Sequence, residues 1–100
     1  MRIRWTEQAV DDLAGIKSYI ARDSAVLARH VARRLYDAVD PLSVFPDSGR
    51  IVPERGDPTL RELVRPPYRI VYERTEDVVV ILTIFHAARM FPEHLEPPSR

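Results

Sequence analysis

The stretch Val78 to His86, VVVILTIFH, is apolar at both alternating sets of positions. A strand with one wet face would alternate, so this pattern predicts a central strand covered on both sides. Just before it, Tyr68 to Arg74 (YRIVYER) does alternate. Tyr68, Ile70 and Tyr72 face one way, and Arg69, Val71 and Glu73 face the other. Glu76 and Asp77 supply the turn between these two strands, and Pro66-Pro67 ends an earlier one, Leu60 to Arg65 (LRELVR).

Working back toward the N-terminus, the period changes from two to three and four. Residues 2–5, RIRW, alternate and read as a short strand. Thr6 is suited to cap a helix, and Glu7, Asp11 and Asp12 crowd its early turns, where the helix dipole favours acids. Val10, Leu13, Ile16 and Ile20 follow helical spacing, which predicts a helix over 7–21. Asp23 or Ser24 caps a second helix with an apolar stripe at Leu27, Val31, Leu35, Ala38, Leu42 and Phe45. So short a connection predicts an antiparallel helical hairpin. Pro41 interrupts the second helix at a cost of about 3 kcal/mol in a helix interior. The apolar spacing runs on past it, so a kink is expected rather than a stop.

Residues 46–59, PDSGRIVPERGDPT, read as a long loop, and long loops tend to be functional or mobile. Its glycines match no phosphate-binding spacing. After His86 the chain holds Pro92, Pro97 and Pro98, with room for one helical turn around Glu93 to Leu95. The order strand-helix-helix-strand-strand-strand predicts an α+β fold, with the hairpin on one face of a mainly antiparallel sheet. One domain over residues 1–96 and a short tail over 97–100 are expected.

Composition narrows the function. The chain has 100 residues, 15 basic and 15 acidic, and no cysteine. Disulfides and thiolate metal sites are therefore excluded. His30, His86 and His94 lack zinc-ligand spacing, so no metal or other cofactor is expected. No apolar run approaches the roughly 18 residues of a membrane helix. The N-terminus lacks an apolar signal-peptide core, so a cytoplasmic protein with no membrane partner is expected. Charge is also balanced along the chain: residues 1–50 carry 8 basic and 7 acidic side chains, residues 51–100 carry 7 and 8. A phosphate-backbone binder usually shows a basic excess or stripe, so direct nucleic-acid binding is disfavoured.

The motifs, taken in order, resemble a known family. They are Trp5, Ala9-Val10-Asp11-Asp12-Leu13, Phe45-Pro46, Ser48-Gly49-Arg50, Pro53-Glu54, Arg61-Glu62-Leu63, Pro67-Tyr68-Arg69-Ile70-Val71-Tyr72 and His86-Ala87-Ala88-Arg89 with Pro92. Together they resemble the RelE/ParE superfamily of type II toxins, and its ParE branch more than its RelE branch. The resemblance implies a plasmid-stabilisation type of toxin, neutralised by a cognate antitoxin. For the ParE branch it implies inhibition of DNA gyrase by binding; for the RelE branch it implies messenger RNA cleavage on the ribosome. A family member that binds antitoxin without being toxic is a third reading.

RNA cleavage requires a general base, a general acid and cations for the phosphate. The residues available are Arg61, Arg69 and Arg89 for the phosphate and His86 or His94 for proton transfer. Arg69 stands where the RelE branch has a catalytic arginine, by that resemblance. No tyrosine follows Tyr72 to match that branch's C-terminal catalytic tyrosine. The residues expected to meet a target or partner are Arg69, His86, Arg89, Trp5, Met90 and Phe91, since aromatics, Met and Arg dominate interface hot spots. Each also has a structural use. His86 can hold the turn into Ala87-Ala88, Arg69 can pair with an acid on its sheet face, and Arg89 can pair with Glu93.

Overall fold

The computed structural model describes residues 1–95, 97 and 98. The boundary expected at residue 96 and the last two residues of the expected tail lie outside the described residues. The elements are β1 (Arg2–Trp5), α1 (Glu7–Ala21), α2 (Ala25–Ala38), a 3-10 turn (Asp40–Ser43), β2 (Arg50–Ile51), β3 (Leu60–Arg65), β4 (Tyr68–Arg74) and β5 (Val78–His86). The sheet order is β1-β5-β4-β3-β2. β2 to β5 pair antiparallel, and β1 lies parallel to β5 with Trp5 opposite Ile81.

The caps are those the residue types demand. Thr6 Oγ1 accepts from Ala9 N (3.1 Å) and Ser24 Oγ from Leu27 N (3.1 Å). The second helix corrects the expected kink. It stops at Ala38, and Pro41 enters a 3-10 turn near its start, where its missing N–H costs nothing. The expected apolar stripe holds in its middle, with Val31 and Ala38 packed on the core beside Leu35 and Leu42. Ala28, Ala32 and Leu35 are buried, followed by Val39 and Leu42, while Leu27 and Phe45 are exposed. Within the loop 46–59 the two-residue strand β2 pairs with Arg61 and Glu62, an element too short to leave a periodic signature.

The sheet is covered on both faces, as the β5 sequence requires. On the helical side Leu35, Val39 and Leu42 pack with Leu63, Ile70, Tyr72, Val79, Ile81 and Ile84. On the other side Val52, Leu60, Val71, Val80, Leu82 and Phe85 are closed over by Phe91 and Leu95. Each large apolar side chain fully buried here contributes about 1.5–3 kcal/mol.

A bulge tunes β5. The register shifts so that Val71 faces Thr83 and Tyr72 faces Ile81, leaving Leu82 as an extra residue. The start of α1 satisfies the disturbed backbone. Thr6 N and Oγ1 donate to Ile81 O (3.0 and 2.9 Å), and Oγ1 also to Leu82 O (3.0 Å). Asp12 Oδ2 accepts from Thr83 Oγ1 (2.5 Å) and Ile84 N (3.1 Å). On the helical face, toward the β2 edge, Tyr72 donates to Pro46 O (2.7 Å) and accepts from Gly49 N (3.0 Å). A Cβ on Gly49 would stand 2.6 Å from both Tyr72 Oη and Glu62 O, so only glycine fits.

Candidate functional site

Arg69 lies on the face of the sheet away from the helices, because β4 alternates and Ile70 and Tyr72 take the helical side. It is 7% exposed. Its Nε donates to Glu62 Oε1 (2.6 Å), and Nη1 and Nη2 donate to the two oxygens of Glu54 (2.8 and 2.7 Å). Arg50 Nε donates to the second oxygen of Glu62 (2.5 Å). Two arginines and two glutamates thus close a neutral cluster around a wholly buried Glu62 carboxylate. The guanidinium carbon also lies 5.2 Å from the Phe85 ring centre and 5.5 Å from that of Phe91. The hydrogen bonds from Arg69 pull the Glu54 carboxyl down from 4.5 to about 2. The same bonds, first those to Glu54, raise the Arg69 pKa further.

The segment after β5 holds this cluster shut. Phe91 packs edge-on against Phe85 at 5.9 Å. Arg55 donates to the carbonyls of Pro92, Glu93 and Leu95 (3.5, 3.5 and 3.2 Å) and lies over the Phe91 ring.

Arg61 points to the opposite side of β3 and serves the loop. It donates to Pro58 O (2.9 Å), Asp47 O (3.3 Å) and Gly49 O (3.0 Å), with an ion pair to Asp47. Burial pushes the nearby Tyr72 hydroxyl pKa up, so it stays a neutral donor.

His86 and Arg89 stand elsewhere, beside a groove of about 560 Å³ between α1 and the end of the sheet. Asp11, Asp12, Ile16 and Tyr19 line one wall, with Tyr68 and Ile84 opposite. His86 Nδ1 accepts from Ala88 N (3.0 Å), and its ring meets Tyr68 edge-on at 5.8 Å. The histidine therefore pins the turn, one of the two uses open to it from sequence. Arg89 is exposed and makes no ion pair among the described residues, with Glu93 or otherwise.

The residues an RNA cutter would use are not brought together, and the exposed His94 lies apart from the rest, beside Pro92 and Leu82. Arg61 and Arg69 tie down the loop from opposite sides of the sheet, and His86 and Arg89 sit at its end. Of the partner candidates, Trp5 is half-buried and stacked on Tyr36 (5.5 Å, 18°), and Phe91 is half-buried in the second core. His86, Arg89 and Met90 are exposed, Met90 to 84%. Sequence reading missed Glu54 and Glu62 as partners of Arg69. A signal for Glu62 was present: it shares a strand face with Leu60, and an acid on an inward face needs a cation. Glu54, in a loop, left none.

A hairpin on a five-stranded sheet, with an arginine of the central strands locked into an ionic cluster, defines a small α+β protein of the RelE/ParE toxin type. The profile of the ParE toxin of the type II toxin–antitoxin system parDE matches residues 3–91. The chain is 41% identical over 90 residues to Toxin RelE2 of Caulobacter vibrioides, covering 89% of this chain and 98% of that protein. It is 44% identical over 96 residues to Putative toxin Y4kP of Sinorhizobium fredii, covering 94% and 96%. Among solved structures it matches one of the chromosomal ParDE toxin–antitoxin system of P. aeruginosa with a TM-score of 0.71 at 25% identity, over 86% of this chain and 95% of that one. The fold is shared with a chain of the RelBE2 toxin–antitoxin complex of Mycobacterium tuberculosis, TM-score 0.53 at 18% identity, over 85% and 95%. The chain belongs to the ParE toxin family of type II toxin–antitoxin systems.

Proposed function

We propose that this toxin acts by binding, as an inhibitor of DNA gyrase, and that a cognate antitoxin neutralises it in the cytoplasm. The observation that carries this reading is the saturation of Arg69. Every nitrogen of its guanidinium donates to a carboxylate, and two phenylalanine rings lie against it. A cation so engaged is neutralised by two carboxylates and held under two rings, which opposes its use on a scissile phosphate, and neither His86 nor His94 bonds to it. Arg89 and Met90, exposed beside the pinned His86 turn, serve as target contacts. The exposed apolar side chains of the hairpin, Tyr19, Val26 and Leu27, and the Trp5–Tyr36 stack offer the antitoxin its surface.

Purified toxin incubated with gyrase and plasmid is expected to block supercoiling or to raise cleaved DNA, and Arg89→Glu with Met90→Ser to weaken this while leaving the fold intact. Absence of any effect at micromolar excess would sink the reading. The relative named RelE2 supports the alternative of an RNA cutter. Message cleavage on programmed ribosomes, abolished by Arg69→Ala in a folded protein, would establish it instead.

A further inference from the structure

β1 and β5 run side by side only as far as Trp5 and Ile81; there the chain leaves the sheet for α1. The last part of β5, Thr83 to His86, therefore has β4 on one side and no strand on the other. The direction of its backbone groups is fixed by their neighbours. Ala87 N donates to Pro67 O, so residues 85 and 87 point toward β4 and residues 84 and 86 point outward. Of the outward groups, Ile84 N is taken by Asp12 and His86 O by Arg89 N. Ile84 O and His86 N have no partner among the described residues.

We propose that this half-edge binds an extended segment of a partner polypeptide, running parallel to β5. An antiparallel strand would need both groups of Ile84 or both of His86, and each residue has one already engaged. A parallel strand needs an acceptor and a donor two residues apart, which Ile84 O and His86 N supply around Phe85. One partner residue donates its N–H to Ile84 O and accepts from His86 N. Its two neighbours point under α1, into the groove lined by Ile16, Ile84 and Tyr68. Charge sets the rest of the chemistry. Asp11 lies at the upstream end of the groove, and the unpaired Arg89 at the downstream end. The segment is therefore basic before the bracketed residue and acidic after it, with apolar side chains between. The proposal rests on the edge geometry and not on the toxin's target, so it stands for a gyrase inhibitor and an RNA cutter alike.

The probe is acetyl-Lys-Val-Thr-Val-Glu-amide, titrated to millimolar concentration into the isotope-labelled protein and followed by NMR. The His86 amide is expected to shift, with neighbouring shifts confined to the groove. N-methylation of the threonine, which removes the donor to Ile84 O, is expected to weaken binding about fivefold. Arg89→Glu, a surface change that leaves the fold intact, makes both ends of the groove acidic and is expected to abolish the wild-type preference for this peptide over the one with Lys and Glu exchanged. An unshifted His86 amide, indifference to N-methylation, or equal binding of the two charge orders by the wild type overturns the proposal.

Discussion

The two faces of the sheet are sealed by different physics. The helical face is apolar at its centre: Leu35 and Leu42 meet Ile70, Tyr72, Val79 and Ile81. The other face has an apolar floor of Val71, Val80, Leu82 and Phe85, but its wall is the cluster of Arg69, Glu62, Glu54 and Arg50. A hairpin can cover a sheet with leucines because helices satisfy their own backbone. A loop and a tail cannot, and their carbonyls need donors, which Arg55 and Arg61 provide. Arg50, Arg55, Arg61 and Arg69 are thus spent on turning irregular segments into a lid.

This contrast can be broken first at its ionic centre. Arg69→Ala leaves the buried Glu62 carboxylate without its main partner and is expected to cost about 4 kcal/mol in urea unfolding. The double change Arg69→Met with Glu62→Leu is expected to recover most of that loss, since burying neither charge is better than burying one. If the double variant is no better than the single, the cluster is more than a neutralised pair. On the helical face Leu35→Ala is expected to cost about 3 kcal/mol, with no dependence on salt or pH. At the junction of helix and sheet, Thr6→Ala removes a cap and two bonds to the bulge. A loss of about 2 kcal/mol is expected, with faster hydrogen exchange in the first turn of α1.

The smallest effect is one of pH. Because the folded Glu54 carboxyl is held at about 2, below its ordinary 4.5, its stabilising contribution is complete above pH 4.5. It fades as the pH falls from 4.5 through 2, where the folded form also takes up the proton. The gap in melting temperature between the wild type and Glu54→Gln is expected to close over that window. A gap that persists at pH 2 would mean that Glu54 acts through packing instead.

Much of the fold was legible because its strands announce themselves. β3 and β4 end, and β5 begins, where Pro66-Pro67 and Glu76-Asp77 say they must, and α1 begins after its threonine cap. The stripe of α2 and the turn after it held at Val31, Leu35, Ala38 and Leu42 and failed at its two ends, Leu27 and Phe45, which are exposed while Ala28 and Ala32 are buried. The candidate site was legible only in kind. An acid partner for Arg69 was foreseeable from the alternation of β4. Which acids, and the return of Phe91 onto the same arginine, depend on loop closures that no periodicity encodes.

The parallel pairing of β1 with β5 also orders events in the life of the chain. β1 finds its neighbour only when β5, about 75 residues later in the chain, has been made, and the Thr6 bonds to Ile81 and Leu82 wait with it. Until then the emerging polypeptide carries an open flank. A translation product truncated before β5 therefore cannot close the sheet and is expected to be cleared as an unfolded chain rather than to act.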